Sequence, residues 1–192
     1  MNTMEDKIML NNRASPYRAD EDDRVMVLLD VRNYTYRQSL DYCNTMIDLR
    51  KFLDDRIGGR KCVKAVAVDG VILDDCGRDT SRVFHSELRS AGFSVELVPA
   101  SNNKGKQEGV DVKIALIAQR YALLGKVDVV ELISGDGDFS VLVKELQGLG
   151  VLVNVTSFYR SLSYSLRDQA DSVTILDDEP AIRMMPKTQE VA

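Results

Sequence analysis

Val129-Val130-Glu131-Leu132-Ile133-Ser134-Gly135-Asp136-Gly137-Asp138-Phe139-Ser140 is the stretch on which the reading of the fold turns. It opens as a β-branched, mostly apolar run, the pattern of a strand buried on both faces in a parallel sheet. It closes in Ser-Gly-Asp-Gly-Asp. Phe139, Leu142, Val143 and Leu146 then repeat at three- and four-residue spacing, which predicts a helix over Phe139 to Leu149. Two carboxylates and two glycines therefore sit between the carboxyl end of a strand and the start of a helix, where open α/β sheets bind ligands.

Within that turn, Gly135 and Gly137 are expected to supply tight backbone geometry closed to other residues. Asp138 stands where a helix cap is wanted, and its side-chain oxygen is expected to provide it. Asp136 has no evident local duty. A carboxylate at a strand end suits a hard cation such as Mg²⁺ or Mn²⁺; plain turn chemistry is the alternative. The Gly-x-Gly-x-x-Ser spacing also loosely matches a dinucleotide-binding loop. That loop cradles a pyrophosphate, and Asp136 and Asp138 would set negative charge against it.

Outward from this stretch, strand alternates with helix. Strands are expected at Val25–Leu29, Cys62–Val68, Ser94–Val98, Val151–Val155 and Val173–Leu176. Helices are expected at Ser39–Arg56, Arg82–Ala91, Asp111–Leu124 and Arg160–Ala170. Asp69-Gly70 and the polar stretch Asp74 to Thr80 are read as an excursion, and Ala100 to Gly109 as a polar loop carrying Lys104 and Lys106. The alternation is the signature of a right-handed parallel α/β sheet. Residues 1–22 are expected as a flexible N-terminal segment, 23–177 as the domain and 178–192 as a flexible tail.

The composition narrows the function classes. A chain of 192 residues is long enough for one real core. A net charge of −5 argues against a generally basic nucleic-acid coat while leaving room for a local basic groove. No apolar run approaches the ~20 residues that span a bilayer, and no secretory signal is evident, so no membrane partner is expected. Three cysteines, odd in number and without zinc spacing, fit a reduced cytoplasm.

Two strand ends carry an acid, Asp30 and Asp136, and a third acid, Asp111, opens a helix after the lysine loop. In a parallel sheet all strand ends point one way, so Asp30 and Asp136 converge if their strands are neighbours. Convergent carboxylates repel one another unless a cation lies among them. Metal-assisted hydrolysis follows as a physical hypothesis. Asn33 is placed to hold a water or a phosphate oxygen, and Arg32, Lys104, Lys106 and Lys113 to grip a nucleic-acid backbone. For each basic residue the competing reading is a solvated surface charge.

Asp30-Val-Arg-Asn33-Tyr34, Gly109-Val-Asp111 and Ile133-Ser-Gly-Asp136-Gly-Asp138-Phe139 resemble, in order and spacing, the motifs of NYN domains of the LabA-like branch within the PIN-like nucleases. Leu166-x-x-x-Ala170-Asp171 is similar to the closing segment of that family. The resemblance implies a PIN-like, Rossmannoid three-layer α/β/α sandwich around a mainly parallel sheet of five or six strands. It implies a ribonuclease using Mg²⁺ or Mn²⁺. Asp30, Asp111, Asp136 and Asp138 inherit the catalytic positions, with Asp30, Asp111 and Asp136 on the metal. Asn33, Arg32, Ser134, Lys104, Lys106 and Lys113 make up the expected substrate-binding set. The expected partner is single-stranded RNA, and a homo-oligomer stays open. One position departs: the family usually has a second aspartate six residues beyond the first helical one, and this chain has Ile117. A non-catalytic or weakly active RNA-binding module is therefore the rival reading. A strand-end acid with Asp-x-Asp also resembles Toprim-type domains, whose first strand end calls for a glutamate where this chain has Asp30. His85, the only histidine, is expected to be structural or on the surface, away from every strand end.

Overall fold

The computed structural model describes residues 20–35, 45–46, 48–71, 76, 80–99, 109–178 and 185–186. Both expected tails fall largely outside these residues, as do Lys104, Lys106 and residues 39–44 of the expected first helix.

Six strands form one sheet: β1 (Arg24–Asp30), β2 (Lys61–Gly70), β3 (Ser94–Val98), β4 (Val129–Ile133), β5 (Leu152–Ser157) and β6 (Ser172–Ile175). Their spatial order is β3-β2-β1-β4-β5-β6, and every pairing is parallel. All five residues of β4 are buried, as are all of β1 after Arg24, which is why these two strands take the centre. Successive side chains alternate between the two faces. Met26 and Leu28 join Ile114, Phe139, Val143 and Leu146 on one side, and Val27 and Leu29 join Phe52, Leu88, Phe93 and Ile133 on the other. Helices α1 (Leu49–Ile57) and α2 (Arg82–Ala91) cover the second face; α3 (Val110–Leu123), α4 (Phe139–Gly148) and α5 (Tyr164–Gln169) cover the first. The result is the expected three-layer α/β/α sandwich with an all-parallel centre.

The register pairs Val25 with Val129 and Leu29 with Ile133, so β1 and β4 end level. From β1 the chain steps outward to β2 and β3. It then crosses back through α3 to β4 and steps outward the other way. The crevice beyond the ends of β1 and β4 is thus the topological switch point.

Two local readings change. Thr45–Met46 pairs antiparallel with Met185–Pro186, so α1 starts at Leu49 rather than Ser39, capped by Asp48, whose carboxylate accepts from the Lys51 N–H at 2.9 Å. Strand β2 runs on to Gly70, bringing Asp69 into the sheet where a polar excursion was expected. Glu131 also breaks the apolar run of β4. It is 6% exposed and accepts from Arg60 Nη2 at 2.6 Å and Asn154 Nδ2 at 2.9 Å, satisfying a charge buried mid-sheet. No helix among the described residues is long and apolar enough to cross a membrane.

Candidate acidic site

The turn after β4 is tied to the end of β1 and the residues after it by two hydrogen bonds, and each side is braced by one of its own. Ser134 Oγ donates to Asp30 Oδ2 at 3.0 Å and accepts from the Asp136 N–H at 3.2 Å. The Gly135 N–H donates to Asn33 Oδ1 at 2.9 Å, while the Asn33 N–H donates to Asp30 Oδ1 at 3.2 Å. Asn33 and Ser134, both in the expected substrate-binding set, therefore serve as struts between the two central strand ends, and their oxygens are engaged.

Asp136 and Asp138 exchange the local duties the sequence suggested. Asp136 Oδ1 accepts from the Asp138 N–H at 3.0 Å, which shapes the turn. Asp138 makes no side-chain cap: its backbone is already helical. A cap oxygen bonds amides ahead of it from an extended backbone, and that geometry is missing here. The glycines also act differently from the expectation, for neither Gly135 nor Gly137 takes a positive φ. They are needed because another loop passes too close. A Cβ on Gly135 would land on the Ser161 carbonyl and 2.5 Å from Ser157 Oγ; one on Gly137 would lie 2.9 Å from Ser163 Oγ and from Ser165 Oγ.

Asp111 arrives from the opposite side of the switch point. Gly109, at φ +111°, lets the chain turn into α3 against Val98 at the end of β3, and buried Val110 anchors the helix. Asp111 sits in its first turn. One carboxylate oxygen each from Asp111, Asp136 and Asp138 lies within 4.8 Å of the others. The close group thus contains Asp138 in place of Asp30, which was expected on the metal. Asp30 is 4% exposed and lies behind Ser134.

Burial, chiefly, pushes the Asp30 carboxyl up to about 6; the charges of Asp111 and Asp136 add to the rise, and the Asn33 and Ser134 hydrogen bonds oppose it. Asp111 is also raised, by burial first and then by Asp136 and Asp138. Four acids therefore share one unfavourable field. The oxygen donors of the close group fit a hard divalent cation. Ligand distances of about 2.0–2.6 Å put two oxygens on one ion up to roughly 4–5 Å apart.

The two basic residues of the expected set that are described, Arg32 and Lys113, are engaged. Arg32 Nε and Nη2 bond Asp69 Oδ1 at 2.7 Å and the Gly70 carbonyl at 3.0 Å. Lys113 Nζ lies 3.3 Å from Glu96 Oε2. Asp69 itself, 1% exposed, is a strand-end acid that the sequence reading passed over. Its other oxygen meets His85 Nε2 at 2.8 Å. His85 is structural as expected but stands against a strand end, not away from one. The signal was present: the apolar run of β2, like those of β1 and β4, leads to an aspartate. Ile117 is partly buried and packed against the core cluster, and six helical residues carry it about 9 Å along α3 from Asp111. A carboxylate there would meet apolar neighbours.

Comparison with known proteins agrees with this fold. A crystal structure of VPA0982, a protein of unknown function from Vibrio parahaemolyticus, matches with a TM-score of 0.70 and 33% sequence identity, covering 84% of this chain and 98% of that one. No curated protein matches the chain. The model of the NYN domain matches residues 24–177, which span the six-stranded sheet and helices α1 to α5. The chain therefore belongs to the NYN domain family, within the PIN-like superfamily.

Proposed function

We propose that this NYN domain, of the LabA-like branch, is a cytoplasmic divalent-cation-dependent ribonuclease that hydrolyses phosphodiester bonds of single-stranded RNA. The observation that carries the reading is the close approach of Asp111, Asp136 and Asp138 at the switch point, with Asp30 behind them. Such a group is costly without a counter-charge, and a hard cation is the counter-charge its oxygens suit. Asp111, Asp136 and Asp138 hold the Mg²⁺ or Mn²⁺. When bound, the ion supplies Lewis-acid chemistry, easing loss of a proton from water and offsetting charge on a phosphoryl oxygen. Ser134 and Asn33 hold the two strand ends in register beneath the acids. Arg32, fixed by Asp69 yet about one-third exposed at its side chain, presents the rest of its guanidinium to a neighbouring phosphate. Lys113, Lys104 and Lys106 are assigned to the RNA backbone as further phosphate contacts.

A second reading rests on Ile117, which occupies a position where the family resemblance calls for an acid: the domain binds RNA without turnover. Incubation of the purified protein with single-stranded RNA decides between them. Cleavage with Mn²⁺ or Mg²⁺ that stops with EDTA is the expected result. Retention of intact RNA on the protein with either ion supports the binding module.

A further inference from the structure

Beside the acidic turn stands an exposed aromatic ring for which the fold has no use. Tyr164, the first residue of α5, is 72% exposed. Its two neighbours in sequence, Ser163 and Ser165, are those whose hydroxyls crowd Gly137, the residue between Asp136 and Asp138. The Ser163 N–H donates to the Gly135 carbonyl at 2.9 Å, and Ser163 Oγ accepts from the Leu166 N–H at 3.2 Å. Leu166 is fully buried and pins the short helix to the core. The backbone that carries Tyr164 is therefore hydrogen-bonded to the acidic turn itself, which fixes where the ring is rooted relative to that turn.

The ring is also braced. Arg167 Cζ lies 4.8 Å from its centroid, and the guanidinium is held in turn by Asp168, with Nε and Nη2 each 3.0 Å from Oδ1. A guanidinium on one face fixes the plane of the ring and leaves the rest of it to solvent. A flat aromatic with a guanidinium against it and most of its surface open, beside the proposed phosphodiester-cleaving centre, has the chemistry of a stacking platform for a nucleobase.

We infer that Tyr164, backed by Arg167, stacks one base of the RNA next to the bond that is cut, and so selects unpaired substrate. The inference rests on the ribonuclease reading above. Stacking on a protein ring requires a base whose face is not already occupied. Bases inside a duplex are stacked on both sides, whereas those of a single strand can be splayed out. The platform therefore turns a centre with no base contact of its own into one that prefers single strands, and it accepts any base because each has a π-face.

The test is equilibrium binding of a short fluorescent single-stranded RNA, and of the same strand in a duplex, with Ca²⁺ as the cation. Tyr164→Ala is expected to weaken single-strand binding roughly 5- to 150-fold, the range for loss of one base–aromatic stack. Tyr164→Phe, which keeps the ring, is expected to bind within about twofold of wild type, and duplex binding is expected to be the same in all three. A single abasic site moved along the strand should reproduce the loss at one position in wild type, and should cost nothing further there in Tyr164→Ala. Binding of the single strand by Tyr164→Ala as tight as by wild type overturns the platform while leaving the ribonuclease reading intact. Failure of wild type to bind single-stranded RNA at all overturns both.

Discussion

Asp136→Asn is expected to lower RNA cleavage by at least about a hundredfold while leaving the fold intact. The substitution isolates charge. Asp136 Oδ1 accepts from the Asp138 N–H, and the amide oxygen of asparagine accepts in the same way, so the turn is retained. What disappears is one of three charges that face one another across 4.8 Å. If that charge holds a cation, the lost transition-state stabilisation amounts to several kcal/mol, at about 1.4 kcal/mol per tenfold in rate. The cation-free variant should also be slightly more stable than wild type, because Asp136 raises the pKa of both Asp30 and Asp111 and its removal relieves both. Activity near the wild-type level in Asp136→Asn would reduce the residue to turn chemistry.

Asp30→Asn is expected to change stability with a definite pH dependence. The folded-state pKa of Asp30 is pushed up to about 6 from an ordinary 3.8. Between those values the unfolded chain releases its proton before the folded chain does. The folded state is therefore penalised as pH rises, by an amount that is absent below about pH 4 and complete above about pH 6. Two units correspond to about 3 kcal/mol. An asparagine carries no such penalty and can accept one of the two hydrogen bonds that Asp30 receives from Asn33 and Ser134. In EDTA, urea unfolding should show the variant gaining up to about 3 kcal/mol over wild type between pH 4 and pH 7.5, on top of any constant offset from the hydrogen bonds. A stability difference that does not vary with pH would mean that Asp30 is not held at a raised pKa.

The architecture was legible because its centre is written in unbroken apolar runs. Val25–Leu29 and Val129–Ile133 could be buried on both faces only as inner strands, and placing them side by side brought Asp30 and Asp136 to one crevice. The errors came from partners that are remote in sequence. The local roles of Asp136 and Asp138 depend on the backbone conformation at Asp138, which is already helical, and residue type does not disclose it. The need for glycine at 135 and 137 comes from the loop around Ser157, Ser161 and Ser163, brought in by β5 and α5. Glu131 passes for one polar residue in an apolar strand until Arg60, 71 positions away, is set against it. The Asp69–His85 contact was hidden by the polar residues that separate the two in the chain. Helical spacing continues through Thr45–Met46, so the sequence alone extends α1 too far; that segment instead pairs with Met185–Pro186.

The claim that this crevice is a cation site is tested most directly by the thermal midpoint of the purified protein across a Mn²⁺ titration at neutral pH. A ligand that binds only the folded state stabilises it by mass action, by about 2.7 kcal/mol at a hundredfold excess over its Kd. The acids gathered at the ends of β1 and β4 predict a midpoint that climbs steadily with the logarithm of the Mn²⁺ concentration and falls back with EDTA. A midpoint that stays level up to millimolar Mn²⁺ would contradict the account.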